Sequence, residues 1–465
     1  MPTPSIRCAG SVPGVGERLL VIGGDAAGMS AASAARRRDR DLEILVLERG
    51  PYTSYSACGI PYYLGGLFDD SDRLIARTPE EFRSQGIDVA IRSEAVGLDL
   101  DARTVSVRDH AARSERTEGF DRLVVATGAE AVPPPVPGAD AVEPVRTVDA
   151  AERFAARLRR EDARRAVVVG ASYLGLEMAE ALVQRGLEVT LLDQAAQVMG
   201  TLDADMAEHV RTAAEGVGIR VLLSTRVDEV LLHGDGSVRA VVTSEGELGA
   251  DEVVLSTGVR PAIGVAREAG LTVGESGALA VDARQRCPGA DGVFAAGDCA
   301  ESHHRLLDRG VNIQLGTHAN KQGRIAGVNV TGGDDAFPGV IGTAVSKICR
   351  YEVARTGLSE AEAAGADIEV VAASISSKTR AGYYPGAGPI WVKLVADPSD
   401  GRLLGGQIVG VEGAAKRIDV LAVAVWTGLA VQDLELLDLS YAPPFSGVYD
   451  PLLIAARQAA KRIGG

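Results

Sequence analysis

Short runs of consecutive apolar residues, closed by glycine-rich turns and followed by alanine-rich stretches, set the rhythm of the first half of the chain. Arg18 to Ile22 (RLLVI) opens it. Continuous rather than alternating apolar positions predict a strand covered on both faces. The turn Gly23-Gly24-Asp25-Ala26-Ala27-Gly28 follows, then Met29 to Arg38, rich in the helix formers Ala and Arg. A second strand, Glu43 to Leu47, closes on Glu48. The same order then returns. Ala166 to Val169 is a strand, Gly170-Ala171-Ser172-Tyr173-Leu174-Gly175 the turn, Leu176 to Arg185 the helix, and Glu188 to Leu192 the strand closing on Asp193. Two more strands, Leu123 to Val125 and Val253 to Leu255, run into Ala126-Thr127-Gly128 and Ser256-Thr257-Gly258. They read as passages between the two repeated units, and Pro133-Pro134-Pro135 with Pro137 marks the first linker. Past Phe337-Pro338-Gly339 strands and helices continue without a glycine fingerprint.

A strand, a glycine turn, a helix and a second strand ending in an acid form the βαβ context of a dinucleotide site. There the acid accepts from a ribose 2′-hydroxyl and the turn cradles the pyrophosphate. Two such units imply two dinucleotides. Both fingerprints lack the middle glycine, with Asp25 in one and Ser172 in the other. A carboxylate facing a pyrophosphate would be repelled, so the Asp25 side chain is expected to point away. After Asp193 the residues Gln194-Ala195-Ala196-Gln197 carry no positive charge. A 2′-phosphate would need one, so NADH is expected over NADPH. A further short strand, Val293 to Ala296, leads into Gly297-Asp298-Cys299; Asp298 suits a polar contact to a cofactor's sugar chain, or serves as a turn former.

The candidate chemistry lies in Ser54-Tyr55-Ser56-Ala57-Cys58-Gly59-Ile60-Pro61-Tyr62-Tyr63-Leu64-Gly65-Gly66. Pro61 stands where a helix can begin, since its missing N–H costs nothing in the first turn. Cys58 would then sit at the positive end of a helix, which is expected to lower its thiol pKa. The alternative is an inert structural cysteine.

Composition narrows the function classes. A net charge of -15 argues against nucleic acid, and 4% aromatics are too few for base stacking. No apolar run reaches the ~18 residues of a membrane span. The 55 glycines exceed the roughly 33 that ~7% usage gives, as close backbone approaches require. With 465 residues the chain has room for about three domains. Cysteines at 8, 58, 287, 299 and 349 show no CxxC and no paired spacing, which fits a reducing cytoplasm. Residues 1–16, with no apolar stretch, read as a disordered extension rather than a signal.

Two nucleotide units, the ATG and AAGDCA boxes and an early redox-candidate cysteine resemble the flavin-dependent pyridine nucleotide–disulfide oxidoreductases. The resemblance implies an α/β protein with two Rossmann-like nucleotide-binding domains, the first for FAD and the second for NADH, and a C-terminal α+β dimerisation domain. The expected order is a first FAD-binding segment at 17–145, the NADH-binding domain at 146–265, a second FAD-binding segment at 266–334 and the dimerisation domain at 335–465. Many members carry Cys-x4-Cys, whereas Tyr63 stands at the second position here. That leaves the single-cysteine branch: coenzyme A disulfide reductases, NADH-dependent persulfide reductases, and NADH oxidases and peroxidases. The run Cys58 to Gly66 is most similar to the coenzyme A disulfide reductases.

By that resemblance FAD would contact Gly23, Gly28, Glu48, Arg49, Thr127, Gly128, Asp298 and Ala319. NADH would contact Gly170, Gly175, Glu177, Asp193 and Gly258. The loop and helix from Leu315 to Arg324 would direct a helix N-terminus at the flavin, and His318 within it is a general-base candidate or a capping or solvent-facing residue. In a homodimer, Tyr441 of Tyr441-Ala442-Pro443-Pro444 and one of Tyr383 or Tyr384 of Gly382-Tyr383-Tyr384-Pro385, Tyr383 by preference, would stand over Cys58 of the partner subunit and supply a proton, or else pack at the interface. Ser30, Arg37, Ser54 and Asn320 match positions that contact a coenzyme A substrate; Arg37 otherwise reads as an exposed helix residue. Ala57, Arg380 and Gly382 depart from the family's pattern around the thiol pocket. Oxidase and peroxidase members typically hold a histidine in the first glycine turn, where this chain has Ala26. Persulfide reductases often carry an extra rhodanese domain, and the sequence stops at Gly465 without one, which leaves persulfide activity of the core open. The expected activity is NADH-driven, FAD-dependent reduction of a small disulfide or persulfide at Cys58. An oxidase or peroxidase, or a flavin-binding sensor with little turnover, is the alternative.

Overall fold

The computed structural model describes residues 17–159 and 163–464. The extension expected at 1–16 lies outside them. The first unit is built on β1 (Arg18–Ile22), whose four apolar positions are all buried. β2 (Glu43–Leu47), β3 (Asp88–Ala90) and β4 (Arg122–Val125) join it. With the short strand Val293–Ala295 they give a parallel sheet in the order Val293–Ala295, β4, β1, β2, β3. α1 (Ala26–Arg38) crosses from β1 to β2. It starts inside the glycine turn, earlier than the expected Met29, so its first amides line the turn itself.

The second unit repeats this construction. β5 (Arg165–Val169), α3 (Tyr173–Gln184) and β6 (Glu188–Leu192) follow the expected order, after a six-residue α2 (Ile60–Gly65) in the first unit. With β7 (Arg220–Leu222) and β8 (Glu252–Leu255) the parallel order is β7, β6, β5, β8. Both first glycines are needed for the same reason. Gly23 has φ +108° and Gly170 φ +101°. A Cβ there would lie 2.0 Å from the Ala126 carbonyl oxygen and 2.3 Å from that of Ser256. The two passages between the units run side by side, with Ala129–Ala131 paired antiparallel to Val259–Pro261.

The long helix Gly316–Val330 returns to the first unit and lies against α1. Gly323 and Gly327 permit the approach, since a Cβ on either would sit 2.1 Å and 2.2 Å from the carbonyl oxygens of Ala27 and Ala31. The C-terminal region is a five-stranded antiparallel sheet, in the order 344–348, 351–357, 403–410, 389–396, 371–378. The helices Ala414–Thr427 and Pro451–Ile463 share one apolar core with it. Its other side meets the second unit. Trp391 stacks on His209 at 3.9 Å between ring centroids, and the buried Lys393 ammonium lies 3.2 Å from Asp203 and 2.8 Å from Asp205, with Glu360 as a third carboxylate. Asp203 is itself buried and also accepts from the Gln407 side chain at 2.7 Å.

Candidate active site

The cysteine turn is sewn to the first glycine turn by backbone and side-chain hydrogen bonds. The Ser54 N–H donates to the Gly24 carbonyl at 2.9 Å, the Thr53 hydroxyl donates to the same oxygen, and the Tyr55 N–H donates to Asp25 Oδ1 at 3.0 Å. Ser54 takes a left-handed conformation, φ 49°, to make this bend. Cys58 follows in a single 3₁₀ turn, Ala57–Gly59, immediately ahead of α2, and Pro61 occupies the first turn of that helix as its chemistry favours. The sulfur is accessible in the single chain.

The expected lowering of the Cys58 pKa is not what the surroundings produce. Burial pushes the thiol up, the Glu177 carboxylate pushes it further, and Asp25 and Asp298 add to the effect. A six-residue helix carries little dipole, and three carboxylates outweigh it. Glu177, assigned to NADH from its place after the second glycine turn, has its carboxyl held by the Ser346 hydroxyl of the C-terminal sheet, and its own pKa is raised by burial. Its charge therefore reaches Cys58 across a domain boundary. Glu177→Gln is expected to speed alkylation of Cys58 by iodoacetamide at pH 7.5, by about threefold through a larger thiolate fraction. An unchanged or slower rate would show that this carboxylate does not act on the sulfur.

Beside the cysteine turn opens a cavity of about 720 Å³ whose walls include Gly23, Glu48, Arg49, Thr127, Gly128 and Asp298. These are six of the residues expected at a flavin. Glu48 Oε2 accepts from the Gly24 N–H at 2.8 Å and Oε1 from the Gly50 N–H at 2.7 Å, which leaves carboxylate lone pairs for ribose hydroxyls. Gly128, φ +70°, has nothing within 4 Å of where a Cβ would stand. Gly28 closes α1 onto the turn, since its Cβ would meet the Gly23 carbonyl at 1.9 Å, and Ala319 packs beside Gly297. The volume falls in the range of roughly 300–1,000 Å³ for small-molecule sites. A chain-lined cavity with a glycine turn at one end and an acid at the ribose position fits FAD.

The second unit repeats the acid geometry. Asp193 Oδ2 accepts from the Ala171 N–H at 2.7 Å and Oδ1 from the Ala195 N–H at 2.9 Å. Gly175 approaches the Gly170 carbonyl as Gly28 does Gly23, at 1.8 Å for a Cβ, and Gly258 is left-handed at φ +104° with open space beside it.

Two of the four residues assigned to a coenzyme A-like substrate touch each other. Ser30 and Asn320 are joined directly, Ser30 Oγ donating to Asn320 Oδ1 at 2.8 Å. Ser54 sits at the base of the cysteine turn. Arg37 lies further along α1, beside a shallow surface recess with Arg36 and Arg40. His318 neither caps its helix nor faces solvent freely. Its Nδ1 lies 3.3 Å from the Ile313 carbonyl, and burial lowers its pKa, which suits a neutral, fixed ring. Tyr383 and Tyr441 are neighbours whose phenols interact, and both are exposed in the single chain. Sequence reasoning missed Arg146, which lines the flavin cavity and faces Asp298 and Tyr55. A lone arginine after a proline linker gives no local signal of that place.

Residues 17–323 match the family model described as pyridine nucleotide-disulphide oxidoreductase, and residues 343–451 match the dimerisation domain of the same family. The chain is similar to the NAD(P)H sulfur oxidoreductase (CoA-dependent) of Pyrococcus abyssi, 36% identical over 95% of this chain and 98% of that protein. It is 35% identical to an NADH oxidase of Methanocaldococcus jannaschii, over 96% of this chain and 99% of the relative. Among solved structures, the NAD-dependent persulfide reductase from A. fulgidus superposes with a TM-score of 0.91 at 38% identity, covering 96% of this chain and 84% of that one.

Proposed function

Since the chain belongs to the pyridine nucleotide-disulphide oxidoreductases, we propose that it reduces a disulfide or persulfide of a coenzyme A-like thiol, with NADH as donor and Cys58 as the only reacting cysteine. It is an FAD- and NAD(P)H-dependent oxidoreductase of α/β architecture, two Rossmann-like nucleotide-binding domains followed by a dimerisation domain. One observation supports the sulfur chemistry above the rest: among the described residues Cys58 is the one exposed cysteine, and the loop that carries it is tied by three hydrogen bonds to the glycine turn that walls the cavity. Cys287, Cys299 and Cys349 are buried and free, so among the described residues Cys58 has no partner thiol. The Cys58 thiolate would attack the acceptor's S–S bond and release the thiol's thiolate. Cys58 would be left as a mixed disulfide when the acceptor is a disulfide, and as an enzyme persulfide when it is a persulfide attacked at its outer sulfur. Bound flavin supplies the transfer of an electron pair from the nicotinamide to sulfur.

The chain's own residues hold the reacting groups in place. Glu48 and the turn from Gly23 to Gly28 would bind the first nucleotide, and Asp193 with Gly170 and Gly175 the second. Ser30, Asn320 and Ser54 would receive the thiol's pantetheine-like arm, with Arg37 reaching a terminal phosphate. Tyr383 and Tyr441 would protonate the departing thiolate in the partner subunit's site. A homodimer fits the exposed apolar residues around them, Phe445, Val448 and Tyr449. No helix among the described residues is long and apolar enough to cross a membrane, and free thiols suit a cytoplasmic setting.

The test is NADH consumption in air, without acceptor, with coenzyme A disulfide, and with a coenzyme A persulfide. Stimulation by either sulfur acceptor over a slow background supports the proposal, and the stronger of the two names the acceptor. Fast consumption in air alone would overturn it in favour of an oxidase, the reading that the Methanocaldococcus relative's name keeps open; Ala26 in place of a histidine argues against it. The donor is tested in the same assay. The kcat/KM with NADH should exceed that with NADPH by at least about tenfold, because a 2′-phosphate would meet the Asp193 carboxylate. Equal efficiencies would show that Asp193 does not select.

A further inference from the structure

Asp25 occupies the N-cap of α1 (φ −114°, ψ −151°), yet its side chain makes no cap bond to its own helix. It turns instead to the cysteine loop and accepts the Tyr55 N–H at 3.0 Å. The first amides of α1 are thereby left for an anion, as at other helix N-termini that hold phosphate. The hydrogen bond of its side chain runs to the cysteine loop, and Asp25 still forms a section of the cavity wall.

Three carboxyls, Asp25, Glu48 and Asp298, line the flavin cavity, and they are not equally supported. Glu48, on β2, has two amide donors, at 2.8 Å and 2.7 Å. Asp298, after the strand Val293–Ala295, has the Arg146 guanidinium facing it. The Asp25 pKa is lowered by the Tyr55 amide and by the Ala26 amide of its own helix, but burial outweighs both, and Glu48 and Asp298 add like charges. The Tyr55 phenol and the Cys58 thiol face it from the cysteine loop. Burial, ahead of the other causes, has already raised the Asp25 pKa to about 6 with no phosphate present. A diphosphate brings further negative charge to this group.

The geometry points to Asp25 as the carboxyl that holds a proton whenever the flavin's diphosphate is bound, so that cofactor loading takes up a proton at this residue. Oδ1 keeps the Tyr55 N–H, and the protonated Oδ2 can donate to a phosphate oxygen. The side chain is then a positioning residue twice over, for the phosphate and for the turn that carries Cys58. The inference rests on the flavin site alone, whichever sulfur acceptor the enzyme uses.

The direction with pH follows from linkage. A group whose pKa is higher in the complex than in the free protein favours binding fully below its free pKa. Affinity is lost as pH rises above about 6, by up to about tenfold per pH unit until the bound-state pKa is passed. The experiment is titration of FAD into apo-protein, read by flavin fluorescence from pH 6 to 8.5. Calorimetry at pH 7.5 in two buffers of different ionisation heat counts the protons. The wild type is expected to take up close to one proton at pH 7.5 and to weaken by about a hundredfold across the range. Asp25→Asn should lose the uptake and bind with little pH dependence, while Asp25→Glu, still ionisable, should retain uptake. No uptake by the wild type would overturn the inference, as would undiminished uptake in Asp25→Asn or its loss in both variants. If Asp25→Asn yields no folded apo-protein, the wild-type proton count and the Asp25→Glu titration decide in the same way.

Discussion

Cys58→Ser is expected to abolish reduction of sulfur acceptors, lowering kcat/KM by more than about 10³-fold, while leaving the flavin bound and reducible by NADH. A serine hydroxyl has neither a thiolate's nucleophilicity near neutral pH nor the ability to form the mixed disulfide. The substitution removes little else. Cys58 is accessible in the single chain, and the turn that carries it is held by the backbone of Ser54 and Tyr55 and the side chain of Thr53. FAD content by absorbance and anaerobic bleaching by NADH check the intact half of the reaction. Turnover with coenzyme A disulfide or persulfide checks the lost half. A variant that keeps a tenth or more of the wild-type turnover would show that the reacting sulfur is not Cys58.

Gly23→Ala should give a protein without bound FAD and with a large loss of stability. A Cβ would lie 2.0 Å from the Ala126 carbonyl oxygen and 2.7 Å from its carbon, both backbone atoms of the neighbouring strand's end, which cannot yield as a side chain would. The left-handed φ of +108° adds strain of about 1–3 kcal/mol. Together they place the cost in the exceptional range above about 4 kcal/mol. Gly186→Ala is the control: it is also left-handed, at φ +86°, but has open space around the added atom, so only about 1–2 kcal/mol of backbone strain is expected. Thermal unfolding and flavin absorbance of the two variants separate the clash from the strain. Equal losses in both would show that the approach to Ala126 is not what Gly23 provides.

The features of this enzyme that one segment encodes were legible in its residues. The glycine turns could be read because a tight strand–turn–helix needs glycine at fixed offsets, and Glu48 and Asp193 because each closes the very next strand. The turn at Cys58 was marked by its serines and by Pro61. The charge around Cys58 was not legible in the same way. A helix start after the cysteine pointed to a lowered thiol pKa, but the carboxylates that raise it arrive from α3, from the glycine turn and from the strand end at Asp298. The partner of Asp25 was equally hidden, since the fingerprint says only that a glycine is missing. Ser346 gave no sign that it would hold Glu177, nor Lys393 that it would gather three carboxylates from outside its own sheet.

By itself, then, the sequence determined two strand–glycine-turn–helix units in order, the acids that close their second strands, a cysteine with no CxxC partner, and the family. Those features depend on backbone conformation and on neighbours a few residues apart, where local sterics and periodicity act. Only the tertiary structure decided the electrostatics of the sulfur, the contact of Ser30 with Asn320, and the tie between the first glycine turn and the cysteine loop. Desolvation and Coulomb interactions depend on distance in space, and here they join residues from separate domains.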